Sequence, residues 1–190
     1  YVITVGAMTD RYTSANAGDD ALASFSSAGP THEGFVKPEV VAPGGHVSGY
    51  MKGGSTIAVA HPEFVDQETT MGYTMSGTSQ AAAATTGVVA LMLQVNPLLS
   101  PNDVKCRLMA SSRLALDDEN RPAYSVFQQG AGMIHAPDAV WSNAGGCANG
   151  GLNIDLDLAG VQHYGGPANV DANGNYYIMD PDADVFGTPL

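Results

Sequence analysis

Between Met75 and Gln94 the chain passes from a tight polar turn straight into a long apolar run. The stretch reads Met75-Ser-Gly-Thr-Ser-Gln-Ala-Ala-Ala-Ala84 and continues through Gly87-Val-Val-Ala-Leu-Met-Leu-Gln94. A helix from Thr78 to about Gln94 would be apolar on almost every face, and such a helix has to be buried. Other elements must therefore be wrapped around it, which makes it the expected central helix of the fold. Gly87 costs about 1 kcal/mol of helix propensity at that point, and a close backbone approach is the expected reason for it.

The same turn carries chemistry. Ser79 falls at the helix N-terminus, where unpaired backbone N–H groups point outward and the dipole favours negative charge. Such a position stabilises an oxyanion, and a hydroxyl beside it can attack a carbonyl. Ser79 is the candidate nucleophile, with Gly77 and Thr78 forming the turn. The plainer alternative is an ordinary helix-capping serine.

Around this centre the pattern alternates strand and helix. Tyr1 to Met8 and Val36 to Ala42 read as buried parallel strands, the second stopped by Pro43-Gly44-Gly45. Ala21 to Ser26 reads as a short strand, and Thr56 to Ala60 as another inside the long Gly49–Thr70 connection. Ser100-Pro101 with Asp103 three residues on is a helix start. Leu116 to Tyr124 is charged and loop-like, and Pro137 opens a short last helix through Trp141. From Asn143 the composition shifts to Gly, Asn and Asp. There Leu152 to Leu158 alternates as a half-buried strand, and Asn173-Gly174 centres a hairpin.

Several of these segments together resemble one family. Met75 to Ala82 is similar to the serine motif of the subtilisin-like serine peptidases (subtilases). Val2-Ile-Thr-Val-Gly-Ala7, Ala23-Ser-Phe-Ser-Ser-Ala-Gly-Pro30 and Lys37-Pro-Glu-Val-Val-Ala-Pro-Gly44 resemble the elements that precede it. Asn96-Pro-Leu-Leu-Ser-Pro-Asn-Asp-Val-Lys105, Gly130-Ala-Gly-Met-Ile-His135 and Pro137-Asp-Ala-Val140 resemble those that follow. Ala83 and Ala84 stand where the family usually carries Pro and often His. The resemblance implies an α/β fold, with a partial subtilisin-like parallel sheet around the central buried helix in residues 1–143. Residues 144–190 would form a small irregular or β extension.

The resemblance also implies a peptidase chemistry that Ser79 does not complete alone. The family uses Asp, His and Ser in that chain order. Its Asp, its His and the Asn of its oxyanion hole belong upstream of the strand that opens this sequence. No Asp-Ser/Thr-Gly or His-Gly-Thr-His motif occurs here. A serine without its base is a weak nucleophile, and triad members act as a unit.

Charge narrows the partners. The sequence has 7 Lys and Arg against 19 Asp and Glu, a net charge of −12. That excludes nucleic acid and an anionic membrane surface as expected partners. The longest apolar stretch, Val88 to Val95, is too short to span a bilayer. Cys106 and Cys147 allow one disulfide or two free thiols.

The remaining candidates are scattered. His46 and His61, the latter beside Glu63, are the substitute bases or ligands for zinc or another divalent metal; an exposed or hydrogen-bonded histidine is the plainer reading of each. Asp10, Asp19 and Asp20 share one acidic loop that could hold calcium. Asp171 and Asn173 alternate as in a calcium loop, but the glycine is misplaced at 174 and the closing Glu is missing, which favours a plain turn. Asp180, Asp182 and Asp184 form a further oxygen cluster, read as a solvated tail. The expectation is thus a secreted hydrolase related to serine endopeptidases, acting on a peptide or ester with an N-terminal subtilase piece. The alternatives are a stand-alone metal-dependent ester or phosphoester hydrolase and an inactive binding fragment. Half a doubly wound sheet leaves an edge and a helix face uncovered, so a homo-oligomer is expected.

Overall fold

The computed structural model describes residues 1–11, 20–66 and 71–179. The candidates Asp19, Asp180, Asp182 and Asp184 lie outside the described residues. A three-stranded sheet forms the centre, in the order Ala21–Leu22 (β2), Val5–Thr9 (β1), Val40–Pro43 (β3). β1 and β3 are parallel, with Val5 opposite Val40 and Met8 opposite Pro43. β2 is antiparallel to β1 and only two residues long. All three strands are shorter than the sequence pattern suggested. Ala7, Val40, Val41 and Ala42 are buried completely or nearly so, as a covered parallel pair requires.

The predicted central helix is present as Thr78–Val95 (α2). Its burial corrects the expectation. Only the stripe Ala81, Thr85, Val88 and Met92 is buried, spaced as one helical face. Leu91 and Leu93, beside the stripe, and Val95, at its C-terminal end, are exposed. Gly87 is corrected too: a Cβ built there meets nothing within 4 Å, so no close approach explains it.

Two further helices complete the core. Pro101–Ser111 (α3) starts as its sequence predicts, with a capping box in which the Ser100 side chain accepts from the Asp103 amide and Asp103 accepts from the Ser100 amide. Ala136–Trp141 (α5) follows the short helix Val126–Gln129 (α4). Val88 and Met92 of α2 pack with Val104 and Leu108 of α3 and Ala139 of α5. Between α4 and α5 the chain returns to β3, where the Val41 amide donates to the Gly132 carbonyl and the Ile134 amide to the Val41 carbonyl. Gly132 has φ +104°, and a Cβ there would stand 2.2 Å from the Arg113 carbonyl oxygen, so only glycine fits.

Two expected strands are helices. Thr56–Ala60 (α1) begins at Ser55, whose hydroxyl accepts from the Ala58 amide, and a 3₁₀ turn at Pro62–Phe64 follows. Ile154–Leu158 (α6) begins at Asn153, whose side chain accepts from the amides of Asp155 and Leu156. Each segment is five residues long, too short for alternation to separate strand from helix, so the capping side chain decides. The hairpin was read correctly: Ala168–Val170 (β6) pairs with Tyr176–Ile178 (β7) around Asn173-Gly174.

Cys106 and Cys147 form a disulfide, which settles the alternative left open by the sequence. The bridge holds a loop whose Asn149 donates to Asn102 and to the Tyr1 carbonyl and accepts from Lys105. Lys105 and Lys37 both reach Glu39, a buried carboxylate that also accepts from the Thr4 amide at 2.7 Å. Among the described residues no helix is long and apolar enough to cross a membrane.

Candidate active site

β1 and β3 end together, and the site is built on those ends. Crevices beyond the carboxyl ends of parallel strands are where α/β sheets bind ligands. The amides of Gly44 and Gly45 both donate to the Met8 carbonyl, at 2.9 and 3.0 Å, which turns the chain sharply after Pro43. The chain then runs back as Val47–Tyr50 (β4), antiparallel to Gly72–Met75 (β5), with Val47 opposite Met75. β5 leads directly into the serine turn.

Two bonds pin that turn to the strand end. The Gly77 amide donates to the Gly44 carbonyl at 2.8 Å, and the Ser76 hydroxyl accepts from the His46 amide at 2.9 Å. Gly44 has no room for a side chain, since a Cβ would lie 2.6 Å from Ala7 Cβ and 2.8 Å from the Gly77 carbonyl oxygen. Below the turn, Ala81 packs with Ala7, Ala23 and Ala42 in a layer of small side chains. That layer brings α2 close against the sheet.

Gly77 is the N-cap of α2, in an extended conformation, and no side chain caps the helix. Ser79 sits in the first turn and is exposed. Among the described residues its hydroxyl makes no hydrogen bond. An exposed hydroxyl thus stands within the positive end of a long helix, next to backbone donors that no side chain occupies. This is the arrangement in which a nucleophile and its oxyanion donors share one turn.

The chain matches the model of the subtilase family over residues 1–132. It belongs to that family. This subtilase chain is 39% identical over 142 residues to the serine protease AprX of Bacillus subtilis, a match that covers 73% of the chain and 29% of AprX. It is 26% identical over 153 residues to the subtilisin-like protease SBT3.1 of Arabidopsis thaliana, covering 75% of the chain and 17% of that protein. It therefore spans less than a third of the length of either relative. Among solved structures it resembles fervidolysin from Fervidobacterium pennivorans, a keratinolytic enzyme related to subtilisin. The TM-score there is 0.55 at 24% identity, over 75% of the chain and 19% of fervidolysin. MycP1 gives a TM-score of 0.51 at 23% identity, over 77% of the chain and 38% of MycP1. These structural likenesses support the fold.

The other sequence candidates of the subtilase chain fall in different places. His46 stands on the loop bonded to Ser76, and its Nδ1 lies 3.9 Å from Asp10 Oδ1. His61 pairs with Glu63 at 3.2 Å on an exposed turn. His46 and His61 both border one cavity of about 380 Å³, although they are 15 residues apart in the sequence. Asp10 and Asp20 border another, of about 340 Å³, beside Pro43 and His46. Among the described residues no three His, Cys, Asp or Glu side chains are grouped to hold a metal ion. Asp171 serves the hairpin: its Oδ1 accepts from the amides of Asn173 and Asn175, both at 2.8 Å. The Asn175 amide, joined by the Asn175 side chain, holds the Asp171 carboxyl below its ordinary pKa. His135 pairs with Asp138 at 2.8 Å, in keeping with a structural role.

Sequence reading missed the strand-end contacts that position Ser79. The signal was Pro43-Gly44-Gly45, read only as a strand stop; two glycines after a buried strand also mark a place where another backbone comes close.

Proposed function

We propose that this chain is the nucleophile-bearing part of a subtilisin-like serine endopeptidase. Ser79 Oγ attacks the peptide carbonyl while a histidine, oriented by an aspartate, takes its proton. Both partners come from a part of the protein outside this chain or from a separate piece. The first-turn amides of α2 face the oxygen that becomes negative in the tetrahedral intermediate. The observation that carries the reading is Ser79 itself, exposed on an uncapped helix start and fixed to the sheet through Gly44. The family membership over residues 1–132 supports it.

The test is covalent labelling. A fluorophosphonate probe should modify the full protein, or this chain together with its missing partner piece, and should leave Ser79→Ala unlabelled. Labelling that persists in Ser79→Ala, or none in the complete protein, sinks the reading. Among the described residues no group of three His, Cys, Asp or Glu supports the metal-dependent alternative, and His61 pairs with Glu63 on an exposed turn. We also propose that the protein works outside the reducing cytosol, because a disulfide such as Cys106–Cys147 persists in oxidising compartments.

A further inference from the structure

We propose that the cavity bordered by Ile57, Phe64, Tyr73 and Met75 is a specificity pocket for one apolar side chain of a peptide substrate. The nature of the ligand rests on the serine-peptidase reading above; the pocket itself does not.

Position is the first argument. Ser76 and His46 complete the lining, and Ser76 precedes the nucleophile by three residues. Three extended residues span at most about 11 Å, so a substrate bound at Ser79 reaches the cavity within about three residues of the bond being cut.

Construction is the second. After β4, residues 51–66 fold into α1 and the 3₁₀ turn at Pro62–Phe64, and these supply Ile57, His61 and Phe64 to the wall. The wall is stiff. The Tyr73 hydroxyl donates to the His61 carbonyl at 3.1 Å, and the Phe64 ring meets the Tyr73 ring edge-on at 6.3 Å. Tyr73 is buried, which anchors the assembly to β5.

Exposure is the third. Ile57 is 47% and Phe64 49% exposed, large apolar side chains gathered at one opening. Such a grouping next to a nucleophile is unfavourable unless something apolar covers it. The cavity is about 380 Å³, at the small end of ligand sites. Glu63, on the same turn, and the net charge of −12 disfavour an acidic occupant.

Peptide binding to the full protein carrying Ser79→Ala tests this without requiring turnover. Fluorescein-labelled hexapeptides would differ only in having Phe, Ala or Asp at one scanned position, with affinity read by anisotropy. At one position Phe should bind at least tenfold tighter than Ala, and Asp weakest, as burial of an aromatic side chain requires. Adding Ile57→Glu should bring Phe and Ala within about twofold. Phe64→Ala is the milder second variant, expected to reduce the preference severalfold. Equal binding of Phe and Ala at every position, or a preference that survives both variants, overturns the proposal. Fluorophosphonate labelling of the parent with Ser79 intact reads the catalytic proposal separately. Failure of the parent to label would strike the catalytic reading alone, since the peptide preference is measured with the serine removed.

Discussion

The Gly77 amide and the Gly44 carbonyl are 2.8 Å apart, and this bond, beside the one from the His46 amide to the Ser76 hydroxyl, joins the serine turn to the end of the parallel strand pair. Gly44 is also where the backbones leave no space, with Ala7 Cβ and the Gly77 carbonyl both inside contact distance of any added carbon. We therefore expect Gly44→Ala to push the serine turn off the sheet. The cost should be about 1–3 kcal/mol, as for overpacking elsewhere. Fluorophosphonate labelling of Ser79 should slow at least tenfold even under conditions where the variant remains folded. Denaturant unfolding and labelling rate, measured together, check both parts.

Glu39 predicts an acid-side loss of stability. Burial acts to raise its pKa, but hydrogen bonds from Lys105 and Lys37 and from the Thr4 amide outweigh burial and hold the carboxyl below its ordinary value. A depressed folded-state pKa means that the stabilisation is fully present above the unfolded value, about 4.3, and fades as pH falls through the lower folded value. Glu39→Gln leaves two cations facing a neutral amide and should cost about 3 kcal/mol at neutral pH. Urea unfolding at neutral pH and at stepwise lower pH should show the gap between parent and variant closing on the acid side.

Gly87→Ala should stabilise the protein by about 0.5–1 kcal/mol. The position is exposed in the middle of α2, nothing blocks a methyl group, and alanine lowers the entropy of the unfolded chain. A drop in thermal midpoint would show that the glycine has a packing role.

The disulfide closes a loop with a sequence separation of 41. Replacing both Cys106 and Cys147 by serine should lower the unfolding free energy by about 2–4 kcal/mol. Chemical denaturation of the variant and of the oxidised parent provides the comparison.

The C-terminal end of α2 predicts association. Leu91, Val95 and, just beyond the helix, Leu98 at 91% exposure form an apolar surface on this chain. We expect the isolated chain to sediment as a dimer or larger at micromolar concentration, and Leu91→Glu to shift it toward monomer. A monomeric parent would argue against this contact.

What was legible in the sequence depended on the length of each signal. The serine turn, α2 and the capping box at Ser100 were readable because many residues, or one cap with a fixed spacing, agree on a single conformation. The five-residue segments at Thr56 and Ile154 were misread because branched and apolar residues in so short a run suit either state, and the deciding groups, Ser55 and Asn153, lie just outside the run. The burial of α2 was overread for a different reason. Composition reports how apolar a helix is; which side is covered depends on elements elsewhere in the chain. At the site, the Ser79 turn was a local signal, whereas the Gly44 contact and the cavity at Ile57 join segments tens of residues apart.

The Gly-rich extension has a consequence for how the protein tolerates cutting. The Gly166 amide donates to the Glu33 carbonyl at 2.7 Å and the Ala168 amide to the Gly34 carbonyl at 2.9 Å, while Tyr176 sets its ring against Phe127. The hairpin therefore works as a cover strip over carbonyls that would otherwise be open to another chain. A protease nick or a premature stop near residue 150 would spare Ser79 and its turn. It would also uncover the Glu33 and Gly34 carbonyls and the Phe127 ring, so the shortened chain is expected to lose solubility before it loses the serine turn.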